Sequence, residues 1–317
     1  MLRVLVEKLR NIDSNLEKLK VDSEELLDPL KIFKSHSNKL FNLLSMPEDL
    51  VNWGLAVAGW RSARHDAQLS LYTKKMNAGQ KFSEIRITKA ELEVEANEII
   101  HKYVPDDDSI DIEFNKLIHA ADDWKDAVKF LKQSTTTQAW IGFESAAKNI
   151  WVSALNARPL TLGQPTFNLL PDDSKESEVS SKTIQVGLAA KFGFDLRTHL
   201  GTILSERYDF TSVGGIKKAY KTAFQSIDTL NKNLDNPVLF KLEQTRNLLV
   251  HRAGIIDDAY KNKTRCPQSC GEELAVSDAE FEEFIISSLD ATIELFKFTD
   301  DYLIKTKTVA YSAERER

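Results

Sequence analysis

Cysteine is nearly absent from this chain, with two residues in 317, Cys266 and Cys270. Two thiols cannot make a disulfide framework and supply only half the ligands of a structural zinc site, so no metal is expected and both are read as reduced loop thiols. Glycine and proline are sparse as well, 12 and 8 residues, which excludes collagen-like and low-complexity disordered classes. Long apolar runs are missing: the longest nearly uninterrupted one, Gly54 to Trp60, has seven residues, against the ~20 that cross a bilayer. No membrane contact is expected. The first residues alternate apolar with charged side chains and lack the apolar core of a secretory signal, so a cytoplasmic location is expected. Gly-x-x-x-x-Gly-Lys, Gly-x-Ser-x-Gly and His-Glu-x-x-His are all lacking, and no cofactor is expected. Val, Ile, Thr and aromatic residues never alternate long enough to make a strand, which sets the fold class as all-α. Gly214-Gly215, with no strand before it, reads as a turn, and no repeat of fixed period is present.

A large excess of one charge is also lacking. Lys and Arg number 42 against 48 Asp and Glu, a net charge of −6, which argues against coating nucleic acid through bulk charge. The distribution is uneven. From Gly214 to Arg265 ten basic residues face five acidic ones, a local +5, whereas from Glu272 to Asp301 ten acidic residues face Lys297 alone, a local −9. The first stretch is suited to a polyanion, although a solvated basic face beside an acidic one has the same signature.

At roughly 150 residues per domain the length suggests two domains. Residues 1–133 read as an N-terminal helical bundle. Leu2, Leu5, Leu9, Ile12, Leu16 and Leu19 form a short heptad seam, suited to pairing or to docking in a bundle. Asp22 with Glu25 has the form of a capping box opening a second helix, and Ser45-Met46-Pro47 opens a third that ends at Asn77-Ala-Gly79. Trp53 and Trp60 on that helix read as core. Polar helices follow over 87–103 and 110–133, broken at Pro105-Asp-Asp-Asp. Ser134-Thr-Thr-Thr137 supplies cap-type residues for a helix from Gln138 to Ala157, where a new unit, 134–317, begins. Residues 159–182 read as a surface loop. Helical patterns return over 186–207, 214–234, 237–253 and 277–305, giving four or five helices in this unit.

The stretch richest in chemistry is Gln244-Thr-Arg246-Asn247-Leu-Leu-Val-His251-Arg252-Ala-Gly254. Asn247 precedes His251 by four and shares its helix face, so its amide is placed to orient the imidazole, while Leu248, Leu249 and Val250 point toward the core. Gly254 fits a helix C-cap, which puts His251 in the last turn, where the helix dipole favours the imidazolium. A titrating imidazole thus sits near a permanent guanidinium, a minimal pair for moving a proton and balancing charge on phosphorus. Glu144, within Trp140-Ile-Gly-Phe143-Glu144-Ser-Ala-Ala147-Lys148-Asn-Ile150-Trp151, lies close to a buried stripe and needs a partner. Arg246 or His251 on a facing helix, or Lys148 one turn on, would serve. Trp140, Phe143 and Trp151 read as core. Lys261, Lys263 and Arg265 on the loop after the motif, Arg252 within it, and Lys217, Lys218 and Lys221 on the preceding helix could guide a polyanion; they could equally be solvated lysines and arginines.

The Arg-Asn-x-x-x-His run, Arg246 to His251, late in a helix of a C-terminal helical unit, resembles the signature of the HEPN superfamily. The resemblance covers about residues 134–310 and is specific in those six positions. It implies a metal-independent endoribonuclease of the kind common in prokaryotic antiviral defence and toxin-antitoxin systems, with RNA as substrate and an antitoxin or sensor protein as a further partner. It also implies a homodimer in which two motifs meet in one cleft. Arg246 would hold the scissile phosphate, His251 would carry protons for attack by the ribose 2′-hydroxyl, and Asn247 would order the site. Some members of the superfamily keep the fold and lose cleavage. The competing class is a non-catalytic helical oligomerisation or adaptor protein, in which the basic stretch binds nucleic acid or a protein partner and His251 is incidental.

Overall fold

The computed structural model describes residues 16–104, 122–168 and 186–315, together with residues 112 and 116. Among the described residues the fold is all-α, with no strand and only an isolated bridge between Ile255 and Glu273. The expectations placed on residues 1–15, on the Pro105 break and on the polar run 171–181 lie outside the described residues. The helices are α1 (Leu27–Asn77), α2 (Lys89–Ile99), α3 (Asp122–Ala157), α4 (Pro159–Asn168), α5 (Val186–Lys191), α6 (Leu196–Ser205), α7 (Val213–Phe224), α8 (Asp228–Leu234), α9 (Pro237–Arg252), α10 (Asp258–Thr264) and α11 (Asp278–Arg315).

Two compact units divide the chain, one comprising residues 1–43 and 131–317 and the other residues 44–130. Residues 16–43 therefore group with the C-terminal helices, whereas the sequence reading placed 1–133 together. Side chains explain the grouping. The Asp300 carboxylate of α11 accepts the backbone N–H groups of Asp22 at 2.9 Å and Ser23 at 2.8 Å. Phe33 of α1 packs on Phe296 of α11 with ring centroids 5.7 Å apart, and His36 Nε2 lies 2.9 Å from the Gln138 carbonyl oxygen. The capping box expected at Asp22 and Glu25 is not what opens the helix: Ser23 is the N-cap of a single 3-10 turn, Glu24–Leu26, without a side-chain cap, and the Asp22 and Ser23 N–H groups leading into it go to the distant Asp300.

Several expected breaks are absent. Pro47 lies inside α1, which runs unbroken for 51 residues, so Ser45-Met46-Pro47 opens no helix. The proline removes the N–H that would reach the Leu43 carbonyl. Likewise Ser134-Thr-Thr-Thr137 caps nothing. It lies mid-way along α3, and the hydroxyls of Thr135, Thr136 and Thr137 donate to the carbonyls of Leu131, Lys132 and Gln133 four residues back. Residues 159–168, read as loop, form α4, which packs on α6 and α7. Conversely, 186–207 and 214–234 are each two helices. Positive φ at Gly193, Phe194 and Gln225 ends the first of each pair.

In the first unit the core is built around α3. Trp140, Phe143, Ile150 and Trp151 are at most 1% exposed, as their spacing suggested. Trp151 Nε1 donates to the Ala219 carbonyl at 3.0 Å and Tyr220 OH to the Ala147 carbonyl at 2.9 Å, so α3 and α7 exchange two buried hydrogen bonds. Gly201 of α6 lies so close to α3 that a Cβ would come within 2.3 Å of the Val152 carbonyl oxygen. In the second unit Gly59 is pressed on Tyr103, whose hydroxyl donates to Asp66, and Lys74 pairs with Glu95 at 2.7 Å. Thr88 and Glu91 form a reciprocal capping box at the start of α2. Trp53, expected in the core, is 69% exposed, and Trp60 is half-buried. No helix among the described residues is long and apolar enough to cross a membrane.

Candidate functional site

Helix α9 is well specified by its own sequence. Asn236 Oδ1 accepts the Val238 N–H at 2.9 Å, Pro237 occupies the first turn, and the helix closes at Ala253 in the left-handed conformation (φ 50°) with Gly254 next (φ 79°). The expected glycine cap is thus displaced by one residue. Gly254 accepts the Leu274 N–H at 2.8 Å, which pins the helix end to the segment before α11. Leu239, Leu242, Thr245 and Leu248 face the core, and Thr245 Oγ1 shares a hydrogen bond of 2.9 Å with the Tyr260 hydroxyl of α10. Val250 is 52% exposed, so it does not join Leu248 in the core.

Arg246 and His251 occupy different environments. At 100° per residue they lie about 140° apart around the helix axis. The Arg246 side chain is largely buried. Its Nη1 donates to Asn247 Oδ1 at 3.0 Å, its Nη2 lies 3.8 Å from Glu144 Oε2 of α3, and its buried Nε has no hydrogen-bond partner among the described residues. His251 is exposed in the last turn. The contact seen at Asn247 is with the adjacent guanidinium, whereas the sequence pattern placed its amide to orient the imidazole.

Of the partners weighed for Glu144, the structure brings Arg246, while Lys148 lies 3.8 Å from Glu206. Trp140 Nε1 donates to Glu144 Oε2 at 2.9 Å. Burial pushes the Glu144 carboxyl above the ordinary glutamate range and the Asp209 charge adds to this, against the opposing pull of Arg246, the Trp140 N–H and Lys148.

Sequence reasoning missed the carboxylates around this pair. Asp209 accepts from the Thr211 N–H and hydroxyl and from the Ser212 hydroxyl, at 2.9, 2.6 and 2.7 Å, and those hydroxyl bonds hold its pKa below the usual range. The Asp-Phe-Thr-Ser turn ahead of α7 is a legible cap signal. Glu243 had no such signal. It is buried on α9, accepts the Val213 N–H at 2.7 Å and the Gln244 amide at 2.8 Å, and is pushed up by burial.

The basic residues are dispersed. Lys263 reaches Gln244 Oε1 at 3.2 Å, Arg252 pairs with Asp257 at 3.3 Å, and Lys217 pairs with Asp235 at 2.5 Å. Lys218, Lys221 and Arg265 are exposed and Lys261 is half-buried. Lys261 and Lys263 lie on α10 rather than on a loop, because the Asp257 carboxylate caps the Tyr260 N–H and starts a helix there. Cys266 is buried with Leu248, Ile256, Tyr260 and Leu274, whereas Cys270 is exposed and its thiol contacts Asp258. No cluster of three potential metal ligands occurs among the described residues. No protein-family model, curated protein or solved structure matches the chain.

Proposed function

We propose that the chain is a metal-independent endoribonuclease of HEPN type that works as a homodimer, and that Arg246 and His251 carry the reaction. The observation that carries this reading is the contrast at α9: a largely buried guanidinium held between Asn247 and Glu144, and five residues on an exposed imidazole at the helix end. The guanidinium suits a phosphodiester. His251 takes the proton of the ribose 2′-hydroxyl as that oxygen attacks phosphorus, and the 5′-oxygen leaves with a proton. The products are a 2′,3′-cyclic phosphate and a free 5′-hydroxyl. One imidazole cannot readily serve both sides of the same phosphorus, so a second copy supplies the other. Phe240, Asn247 and His251 fall within about 40° on α9. Exposed Phe240 on that stripe, with exposed Val250 and Ile255 flanking His251, leaves apolar surface for the second copy to cover. In a cytoplasmic defence or toxin role, Lys218, Lys221 and Arg265 would meet the RNA backbone, and an antitoxin or sensor protein would control the site.

The test is cleavage of labelled total RNA in EDTA. His251→Ala and Arg246→Ala should each lower the rate at least about 100-fold with the fold intact, and a 2′-deoxy sugar at the scissile position should block it. Full activity in either variant, cleavage of the deoxy substrate or strict need for magnesium overturns the proposal.

A second reading, a non-catalytic helical oligomerisation or adaptor module, is favoured by one observation: Arg246 already bridges α9 to Glu144 of α3. Under it, Arg246→Ala chiefly lowers the melting temperature and no RNA is cut.

A further inference from the structure

Glu144 stands beside a phosphate-binding candidate, and two further carboxylates are tied to this pair, one by charge and one by its place on α9. Glu144 of α3 lies 3.8 Å from Arg246; Asp209, in the turn before α7, acts electrostatically on both Glu144 and Glu243; and Glu243 is three residues before Arg246 on α9. They are not equivalent. Asp209 is committed to three hydrogen-bond donors that need its charge, and a Cβ on Gly215 would come within 1.8 Å of its carbonyl oxygen, so the turn that places it is tightly enclosed. Glu243 is tied to the Val213 N–H and the Gln244 amide, with Lys263 of α10 acting electrostatically upon it. Glu144 accepts one neutral N–H, from Trp140, and faces Arg246 at a distance longer than a hydrogen bond. Lys148, the other cation acting on it, lies 3.8 Å from Glu206.

An RNA phosphodiester arriving at Arg246 therefore meets a guanidinium shared with an anion, Glu144, on which the Asp209 charge also acts. The phosphodiester keeps its charge across the neutral and mildly acidic range, so only the protein can supply the neutralising proton. Of the three carboxylates, Glu144 loses least by accepting it, since a carboxylic acid still accepts the Trp140 N–H through its carbonyl oxygen.

We infer that binding of an RNA phosphodiester at Arg246 is coupled to uptake of one proton by Glu144, so that Glu144 is a pH-dependent brake on the site. The inference rests on the proposed reading of Arg246 as the phosphate contact and not on cleavage. Burial of the Glu144 carboxyl brings this uptake closer to neutrality than for an exposed glutamate.

The experiment uses the full chain and a 2′-O-methyl RNA oligonucleotide with a pH-insensitive dye, which binds but cannot be cut through a 2′-hydroxyl. Anisotropy titrations from about pH 8 to about pH 5.5 should show wild-type affinity rising, by up to roughly tenfold per pH unit where one proton is taken up. In a His251→Ala background, which removes the imidazole's own titration, adding Glu144→Gln should give at the higher pH the affinity the background protein has at the lower, with a flat profile. Arg246→Ala should bind weakly at every pH, and adding Glu144→Gln to it should restore nothing. Calorimetry of His251→Ala protein in two buffers of different ionisation enthalpy reads the remaining proton uptake directly, with the Glu144 side chain unaltered. No proton uptake, no binding at any pH, or a Glu144→Gln protein that binds more weakly or keeps the slope overturns the inference. Since the probe is uncleavable, a chain that shows the coupling yet cuts no RNA removes the enzyme and leaves the brake.

Discussion

Glu144 is held by opposing forces, and their balance is measurable. Burial and Asp209 raise its pKa, and Arg246, Trp140 and Lys148 act against them without prevailing. A carboxyl with a raised folded-state pKa binds more protons folded than unfolded between its two values. Its favourable contribution is complete below the unfolded value and is lost as pH rises through the folded one. Glu144→Gln, which does not ionise, should therefore melt at a higher temperature than wild type at neutral pH, the difference vanishing below the ordinary glutamate range. Melts across that range decide it. A variant less stable at neutral pH would show that the Arg246 pair outweighs the cost of burying the charge. The motif itself was legible in sequence. The contact that Asn247 makes was not: its spacing to His251 is right for a contact, yet the neighbouring guanidinium offers a charged donor that a spacing argument does not weigh.

The helices show the same division between local and distant causes. The start of α9 follows from Asn236 and Pro237, adjacent residues acting through backbone geometry, and was placed correctly. The backbone just before the 3-10 turn that leads into α1 is held by Asp300, 277 residues beyond Ser23, and no local rule could supply that contact. Asp300→Ala should strip the Asp22 and Ser23 N–H groups of their acceptor at a mostly buried position. The expected loss is about 1–3 kcal/mol. Urea unfolding measures it, and a change under about 0.5 kcal/mol would mean that water replaces the carboxylate. At Thr135–Thr137 the residue type suits both a cap and a back-bond. The hydroxyls bond back along α3 because Thr135 and Thr136 are fully buried, where an unbonded hydroxyl is costly.

Assembly is where the chemistry makes its strongest demand on the molecule. Arg246 and His251 point to different sides of α9, so the proposed shared site would draw them from two chains. Mixing wild-type protein with an excess of His251→Ala should lower activity below what dilution alone gives, because each heterodimer then holds one imidazole where the phosphorus needs two. Light scattering establishes the dimer and RNA cleavage reads the loss. A strict monomer with full activity, or verified heterodimers that cut as fast per wild-type chain as the wild-type dimer, would place the complete site within one chain.

Composition and short-range pattern by themselves determined the all-α class, the extent of α9 and the Arg-Asn-x-x-x-His spacing. These depend on hydrogen bonds and side-chain periods that close within about four residues. Only the tertiary structure decided that Glu144 meets Arg246, that the Asp209 charge acts on both Glu144 and Glu243, and that residues 16–43 belong with the C-terminal helices. Each of those outcomes is a competition among polar groups for a partner. Burial sets the cost of leaving a group unpaired, and which groups are buried together depends on helices far apart in the chain.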